Sequence, residues 1–543
     1  MNRFIKKFGK KVVTILTLGA VLLTGCAGAD TSSGEANVSS GAASAVQSTE
    51  SDEEVVVTYA QSTLWETYNF LATTSTPTLV VIEQVFDRLL VINRDGSYSE
   101  RLADSWSVDG KKVVFHINEN AYWHDGEPVT AEDVVYTYQL KTNKEPGWLS
   151  GSSVYIEGTD DEGYELSENS VAVVALDDKT VEVTLKQERD PSVVLSALNT
   201  FVLPKHLLSQ YTDTEVASAD FWKAPIGSGP FKYDSEIDGE RVEFVKNENY
   251  YLGAPNIDRL VVRFMAASTL AAGLLNGEVD VTSDVSLSDI DLLQSSDNVT
   301  VESVTSTQYQ TLVINLENDV FTANVRNAIN AAINKQALVD ELLKGYGEAA
   351  VTFFPSFNPY FNEAFADTST YDPELAKQLL EEENWDSSIV YNLTVPKGNE
   401  ARERSALLIQ QDLAAVGIQT EIVTYDFATA LQNMRDNKYD LLLMGAAGGL
   451  EPSLSIGSIS YFSHTTDEKF AELTSRGAAG LSFEERKPVY DEYQNYFVEQ
   501  TPLVFLYFSD RIVSYNNRVK NLPITSADFW NNMLAWTWEI ENE

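Results

Sequence analysis

A chain of 543 residues with 81 acidic against 38 basic side chains carries a formal charge of −43, a balance that excludes the clustered Lys and Arg surface nucleic acid demands. Hydrophobic residues make up 43% and cysteine occurs once, so the fold must rest on large apolar cores without a disulfide framework. Charges farther apart than ~8 Å are largely screened at physiological salt, and the acidity accordingly reads as solubility beside an anionic envelope more than as attraction of cationic solutes.

Arg3, Lys6, Lys7, Lys10 and Lys11 precede an apolar run at 12–23 that is too short for a bilayer of ~30 Å hydrocarbon. The run ends in Leu23-Thr24-Gly25-Cys26, which resembles a bacterial lipobox. The resemblance implies a signal segment at 1–25 and a diacylglycerol on Cys26, several acyl chains on one residue giving stable anchoring. Residues 27–54 are mostly Ser, Gly, Ala, Thr and acids and form a tether.

Alternating Val, Ile, Thr and Tyr predict strands at 55–59, 113–117, 180–185, 242–245 and 260–264. Helical patterns lie at 131–140 behind Thr130 as N-cap, and at 324–343, 373–382, 400–416 and 484–499. The mixture predicts an α/β fold of two or three lobes, and no later run of 18 apolar residues interrupts it. Asp125-Gly126 and Gly227-Ser228-Gly229 suit turns with special backbone angles. Trp106 and Trp123 fit core anchors, and His124 fits a structural hydrogen bond better than a metal role.

The motifs of extracellular hydrolases are missing. There is no G-x-S-x-G elbow, no H-E-x-x-H helix and no cysteine left in the mature chain after Cys26 is modified. His116, His124, His206 and His464 are scattered and give no ligand pair. A carboxylate pair for glycoside hydrolysis is the one enzymatic alternative, and nothing separates it from a solvated face. The expectation is a protein with no catalytic residue, metal or cofactor.

Glu100-Arg101-Leu102-Ala103-Asp104-Ser105-Trp106, a strand, and then Tyr122-Trp123-His124-Asp125-Gly126 leading to Ala131-Glu132-Asp133-Val134 stand in sequence. Pro225 to Phe231, Asn249-Tyr250-Tyr251, Gly277-Glu278-Val279-Asp280, Asn315, Val325-Arg326-Asn327-Ala328 and Tyr371-Asp372-Pro373 follow. In this order the elements resemble the extracytoplasmic solute-binding proteins of ABC importers, in the family of peptide and nickel binders. The resemblance spans most of the mature chain.

It implies a bilobed clamp: lobe I over 55–305 with a subdomain at about 84–205, lobe II over 306–507, and a return to lobe I over 508–543, hinged near 305 and 507. It implies an oligopeptide as ligand, delivery to an ABC permease with the ATPase engaged indirectly, a monomer, and a place on the outer face of the cytoplasmic membrane, or the periplasmic side in a Gram-negative cell. Nickel or metallophore capture near His464, or oligosaccharide binding favoured by 58 aromatic residues, are alternatives within the same transporter class.

Family members accept the peptide ammonium on an Asp that follows a Gly-Trp element. Here the segment reads Met444-Gly445-Ala446-Ala447-Gly448-Gly449-Leu450-Glu451-Pro452: Ala446 replaces the Trp and Gly449 the Asp. Glu451 is the substitute candidate, with a loop-capping role as its rival, and the small residues from Ala446 to Gly449, with Gly448 and Gly449 among the expected contacts, widen the wall. Lys397 or Arg402 stands in for the carboxylate-binding Arg. Trp65, Thr73, Thr74, Ser75 and Phe357 complete the expected ligand contacts.

Overall fold

Two long strands, Val299–Ile314 and Leu503–Asn516, run antiparallel through the middle of the molecule and tie its halves into one eleven-stranded sheet. The computed structural model describes residues 54–522, apart from 74, 94 and 147, together with residues 535–541. Cys26 and its tether, like Thr74, lie outside the described residues.

On one side of the long pair, Leu441–Ala447, Val390–Pro396 and Gln419–Tyr425 extend the sheet. On the other side Val281–Thr282, Val56–Gln61, Arg259–Phe264, Arg241–Lys246 and Phe231–Ile237 continue it. Each half buries its own cores. One half gathers Val57, Phe86, Phe244 and Trp538 in one cluster, and in another Phe115, Trp123 and Val134 beneath a separate four-stranded sheet. The other half packs Leu312, Ile329 and Ile409 on one face of its strands and Phe353, Tyr493 and Phe505 on the other. The architecture is a bilobed α/β clamp.

Pairing between the two long strands shifts twice in the region joining the lobes, between Thr305 and Tyr309 and again between Gln310 and Thr311. Thr305 faces Asp510, and the ladder resumes with Tyr309 facing Phe508, so three residues on one strand oppose one on its partner. Such bulges bend the strand that carries the extra residues. The Ser306 hydroxyl donates to Ser509 O at 2.8 Å, and Thr307 O accepts from Gly448 N at 2.9 Å, which fixes the break against the next strand.

The expected strands and most helices form close to their predicted limits, because their caps are written locally. Thr130 and Asp133 make a reciprocal capping box on Ala131–Thr142, with Asp133 Oδ2 accepting from Thr130 N at 2.8 Å. The pattern at 324–343 instead forms two helices, Ala323–Ala332 and Lys335–Leu342. Asn334 ends the run: its Oδ1 caps Ala337 N at 3.0 Å, while its own N–H donates to the Asp412 carboxylate at 2.9 Å.

Gly126 adopts a φ of +98°, as its turn requires. Gly227 and Gly229 do not, and their reason is space. A Cβ on Gly227 would lie 1.8 Å from Val85 O, and one on Gly229 2.7 Å from Gln84 O. The turn is pressed against the end of helix Thr76–Val85, and Gly229 N donates to Val85 O at 2.8 Å. His124 locks the same turn: Nδ1 accepts from Gly227 N at 3.2 Å and Nε2 bonds Gly229 O at 2.9 Å. Those partners assign the neutral tautomer protonated on Nε2. Burial pushes its pKa down to about 4.

The remaining motifs also converge on scaffold. Arg101, 1% exposed, pairs with Asp87 at 2.7 Å, and the hydroxyls of Tyr250 and Tyr251 donate to the same carboxylate. The Glu100–Trp106 and Asn249–Tyr251 segments, distant in sequence, therefore meet at one buried ion pair.

Candidate ligand cleft

The strand Leu441–Ala447 and the loop that follows it form one wall of the space between the lobes. Gly448 N is spent on Thr307 O, and a Cβ at Gly448 would stand 2.8 Å from Ser455 Oγ. The glycine is therefore needed for close approach as well as for width. Asn358 Nδ2 donates to Gly449 O at 3.2 Å and Leu450 O at 3.3 Å, holding the loop open. A cavity of about 300 Å³ lies against Gly448, Gly449 and Glu451, faced from the first lobe by Asp95, Asp190 and Ser192. Beside it, Phe357 closes a shallower hollow of about 470 Å³ with Asn93, Asp95 and Ser97.

Charge at this wall is organised by Arg486, on helix Phe483–Gln500 and 1% exposed. Its guanidinium pairs with Glu451, donates to Tyr360 Oη at 2.9 Å, and reaches Asp190 at 3.6 Å. Burial opposes the charge, but Glu451 and the surrounding tyrosines outweigh it and hold the arginine protonated. Glu451 also caps helix Pro452–Ser463 by accepting from Ser453 N at 2.7 Å. Two carboxylates share one guanidinium, so the group keeps a net negative charge beside the cavity.

Across Ala447 the chemistry reverses. Arg402, on helix Glu400–Ala415, is 7% exposed and lines a cavity of about 310 Å³ with Gln310, Gly445, Ala446 and Tyr507. Its Nε donates to Gln310 Oε1 at 3.0 Å, and it forms no ion pair among the described residues. Gln310 faces Gly445 across the ladder, and a Cβ there would meet Gln310 Nε2 at 2.2 Å. Burial lowers the arginine's pKa from its ordinary value, offset in part by Tyr507 and Glu403. A buried guanidinium without an acid calls for an incoming anion.

Residues 97–468 match the model for bacterial extracellular solute-binding proteins, family 5. The chain belongs to that family. Among curated relatives, it is 25% identical over 531 residues to the oligopeptide-binding protein AppA of Bacillus subtilis, covering 93% of this chain and 94% of that one. It is also 25% identical to di/tripeptide-binding protein 1 of Pseudomonas aeruginosa, over 79% and 84% of the two chains. Among solved structures, the ABC transporter substrate-binding protein CtaP of Listeria monocytogenes superposes with a TM-score of 0.80 at 20% identity, over 90% of this chain and all of that one. Family 5 members are extracytoplasmic binding components of ABC importers, not enzymes.

In this family 5 protein the expected contacts separate into distinct places. Phe357, Gly448, Gly449 and Glu451 gather at the cleft, and Arg402 lies across Ala447 from them. Arg402 is buried rather than an exposed helix residue. Trp65 belongs to a first-lobe core, its Nε1 donating to Glu236 at 2.7 Å. Thr73 turns its hydroxyl to Ser75 N at 3.0 Å and lines a separate first-lobe cavity, and Ser75 precedes helix Thr76–Val85 as its N-cap residue. Lys397 is exposed at the end of strand Val390–Pro396. His464 caps a helix in a left-handed conformation and contacts Asn437 at 3.1 Å; among the described residues no group of three or more His, Cys, Asp or Glu is placed to hold a metal. Asp190 and Arg486 escaped sequence reasoning because only folding brings 190 beside 451 and 486.

Proposed function

We propose that this family 5 protein is a monomeric, lipid-anchored receptor that closes on an oligopeptide and delivers it to an ABC permease. Lobe I spans 55–305 with its return over 508–543, lobe II spans 306–507, and the bulged pair at Thr305–Tyr309 is the hinge. The lipid on Cys26 holds the receptor on the outer face of the cytoplasmic membrane.

The observation that carries the peptide reading is the buried guanidinium of Arg402, without an ion pair among the described residues, in a cavity that ends at Ala447 where the one beside Glu451 and Asp190 begins at Gly448. A zwitterion fits that polarity, with its carboxylate at Arg402 and its ammonium towards Glu451 and Asp190. The end of strand Leu441–Ala447, beyond the residues paired on both sides, offers backbone for an extended ligand.

Calorimetry with tetra-alanine, its C-terminal amide and its N-acetyl form tests the assignment. Arg402→Gln should weaken tetra-alanine at least tenfold while leaving the amide unchanged, a charge-assisted hydrogen bond being worth about 1.5–3 kcal/mol. Equal affinity of acid and amide in the unsubstituted protein would remove Arg402 from the site. Native mass spectrometry of undenatured protein would identify any ligand that co-purifies.

A further inference from the structure

The first lobe holds a cavity of about 670 Å³, roughly twice the space at either end of the Ala447 wall. Phe70, Trp148, Tyr164 and Phe201 give it aromatic sides, and Ser196 belongs both to it and to the cleft cavity at Glu451. Its size lies within the range of small-molecule sites.

Two cations face it. Lys141 on helix Ala131–Thr142 is 9% exposed, donates to Ser152 Oγ at 2.7 Å and forms no ion pair among the described residues. Arg88 lies over Phe201, 3.9 Å from the ring centroid, and its Nε pairs with Glu83 at 3.1 Å. Glu83 lies farther from Arg101, at 3.8 Å, whose own partner is Asp87 at 2.7 Å, so Arg88 is paired and Lys141 is the cation facing the cavity without an acid among the described residues. The acid that lines the cavity, Glu162, is 72% exposed and sits near Lys144 at 3.9 Å.

Buried ammonium groups without a counter-ion are costly and rare. In a chain with more than twice as many acids as bases, an unpaired lysine inside an aromatic cavity is a specific placement. Trp148 Nε1 and Asn199 Nδ2, also among the lining residues, are buried donors with no acceptor among the described residues. Burial, with Arg88 adding to it, brings the Lys141 pKa down to about 8. An anion would hold the amine charged.

We infer that this first-lobe cavity is a second anchoring site for a carboxylate of the bound solute, held by Lys141 and Arg88, and that it selects peptides carrying an acidic side chain. The inference rests on the peptide reading of the cleft, with which the cavity shares Ser196 as a lining residue. The carboxylate accepts a hydrogen bond from Lys141 Nζ in place of, or beside, Ser152.

The test is calorimetry on tetra-alanine and on the four tetrapeptides with glutamate substituted at each position in turn, with glutarate as a free dicarboxylate. At least one glutamyl peptide should bind about tenfold or more tightly than tetra-alanine. Lys141→Met should erase that gain without changing tetra-alanine, and Lys141→Arg should keep part of it. Melting curves of the two variants establish that both fold.

No glutamyl gain, or a gain that survives Lys141→Met in folded protein, overturns the inference. If no peptide of either kind binds, the peptide reading fails by itself, and glutarate decides the cavity: binding lost in Lys141→Met supports a free carboxylate site, and no binding refutes it.

Discussion

Arg486 reaches Asp190 from the opposite lobe, Nη1 to Oδ1 at 3.6 Å, while the same guanidinium holds Glu451 on its own side. The three groups are almost fully buried, with side-chain exposures of 1%, 6% and 8%. Arg189 adds a second crossing by donating to Ala478 O at 2.8 Å. In the proposed clamp this polar network would be completed by closure and dismantled by opening, and a ligand that favours closure would work together with it.

Asp190→Asn removes the crossing charge together with one of the two carboxylates proposed to face the ammonium, while asparagine still caps helix Pro191–Leu198 as Asp190 does through Ser192 N. Loss of one charged contact should cost about 1–2 kcal/mol, or roughly 5- to 30-fold in peptide affinity. The free variant should also scatter X-rays as a more extended particle. Identical affinity and radius of gyration would mean that Asp190 contributes nothing to closure.

His124 sets an acid limit on stability. Its folded pKa lies at about 4 against about 6.5 unfolded, so between those values the unfolded chain binds the extra proton and stability falls as pH falls. The loss is at most about 3 kcal/mol and is complete near pH 4. His124→Gln should melt with a smaller difference between pH 7 and pH 4.5 than the parent; an unchanged difference would clear His124 of the effect.

Lys335 acts at the other end of the scale. It is 4% exposed, donates to Ala350 O at 2.8 Å, and burial brings its pKa down to about 7. From there to its unfolded value near 10.4 the unfolded chain again binds more protons, so stability rises with pH across that window. Denaturant titrations at pH 7 and pH 9.5 should show this rise in the parent and a smaller one in Lys335→Met. Parallel rises would rule out the lysine as its source.

Cys26→Ser should move the protein from the membrane fraction to the soluble fraction after cell disruption. Retention in the membrane with the same abundance would argue for another anchor.

Some motifs that identify the family are readable because they act through near neighbours or a fixed turn: Thr130 with Asp133, Gly126 with its left-handed backbone. Most of what they specify is scaffold. Gly227 and Gly229 were readable as a turn but not as a contact, since the carbonyls that forbid a side chain belong to Gln84 and Val85. Helical spacing ran unbroken through 333–334, and the break there came from Asp412, some eighty positions later. The cleft was the least legible. Arg402 was found through the family pattern, whereas Lys141 and Arg486 look like ordinary helix cations until folding removes them from water.

At the Thr305–Tyr309 bulge both connections are strands within one continuous sheet, so the proposed hinge would work like a creased ribbon rather than two beads on a string. The swing of such a hinge would be bounded by how far a few backbone pairs tilt before they part.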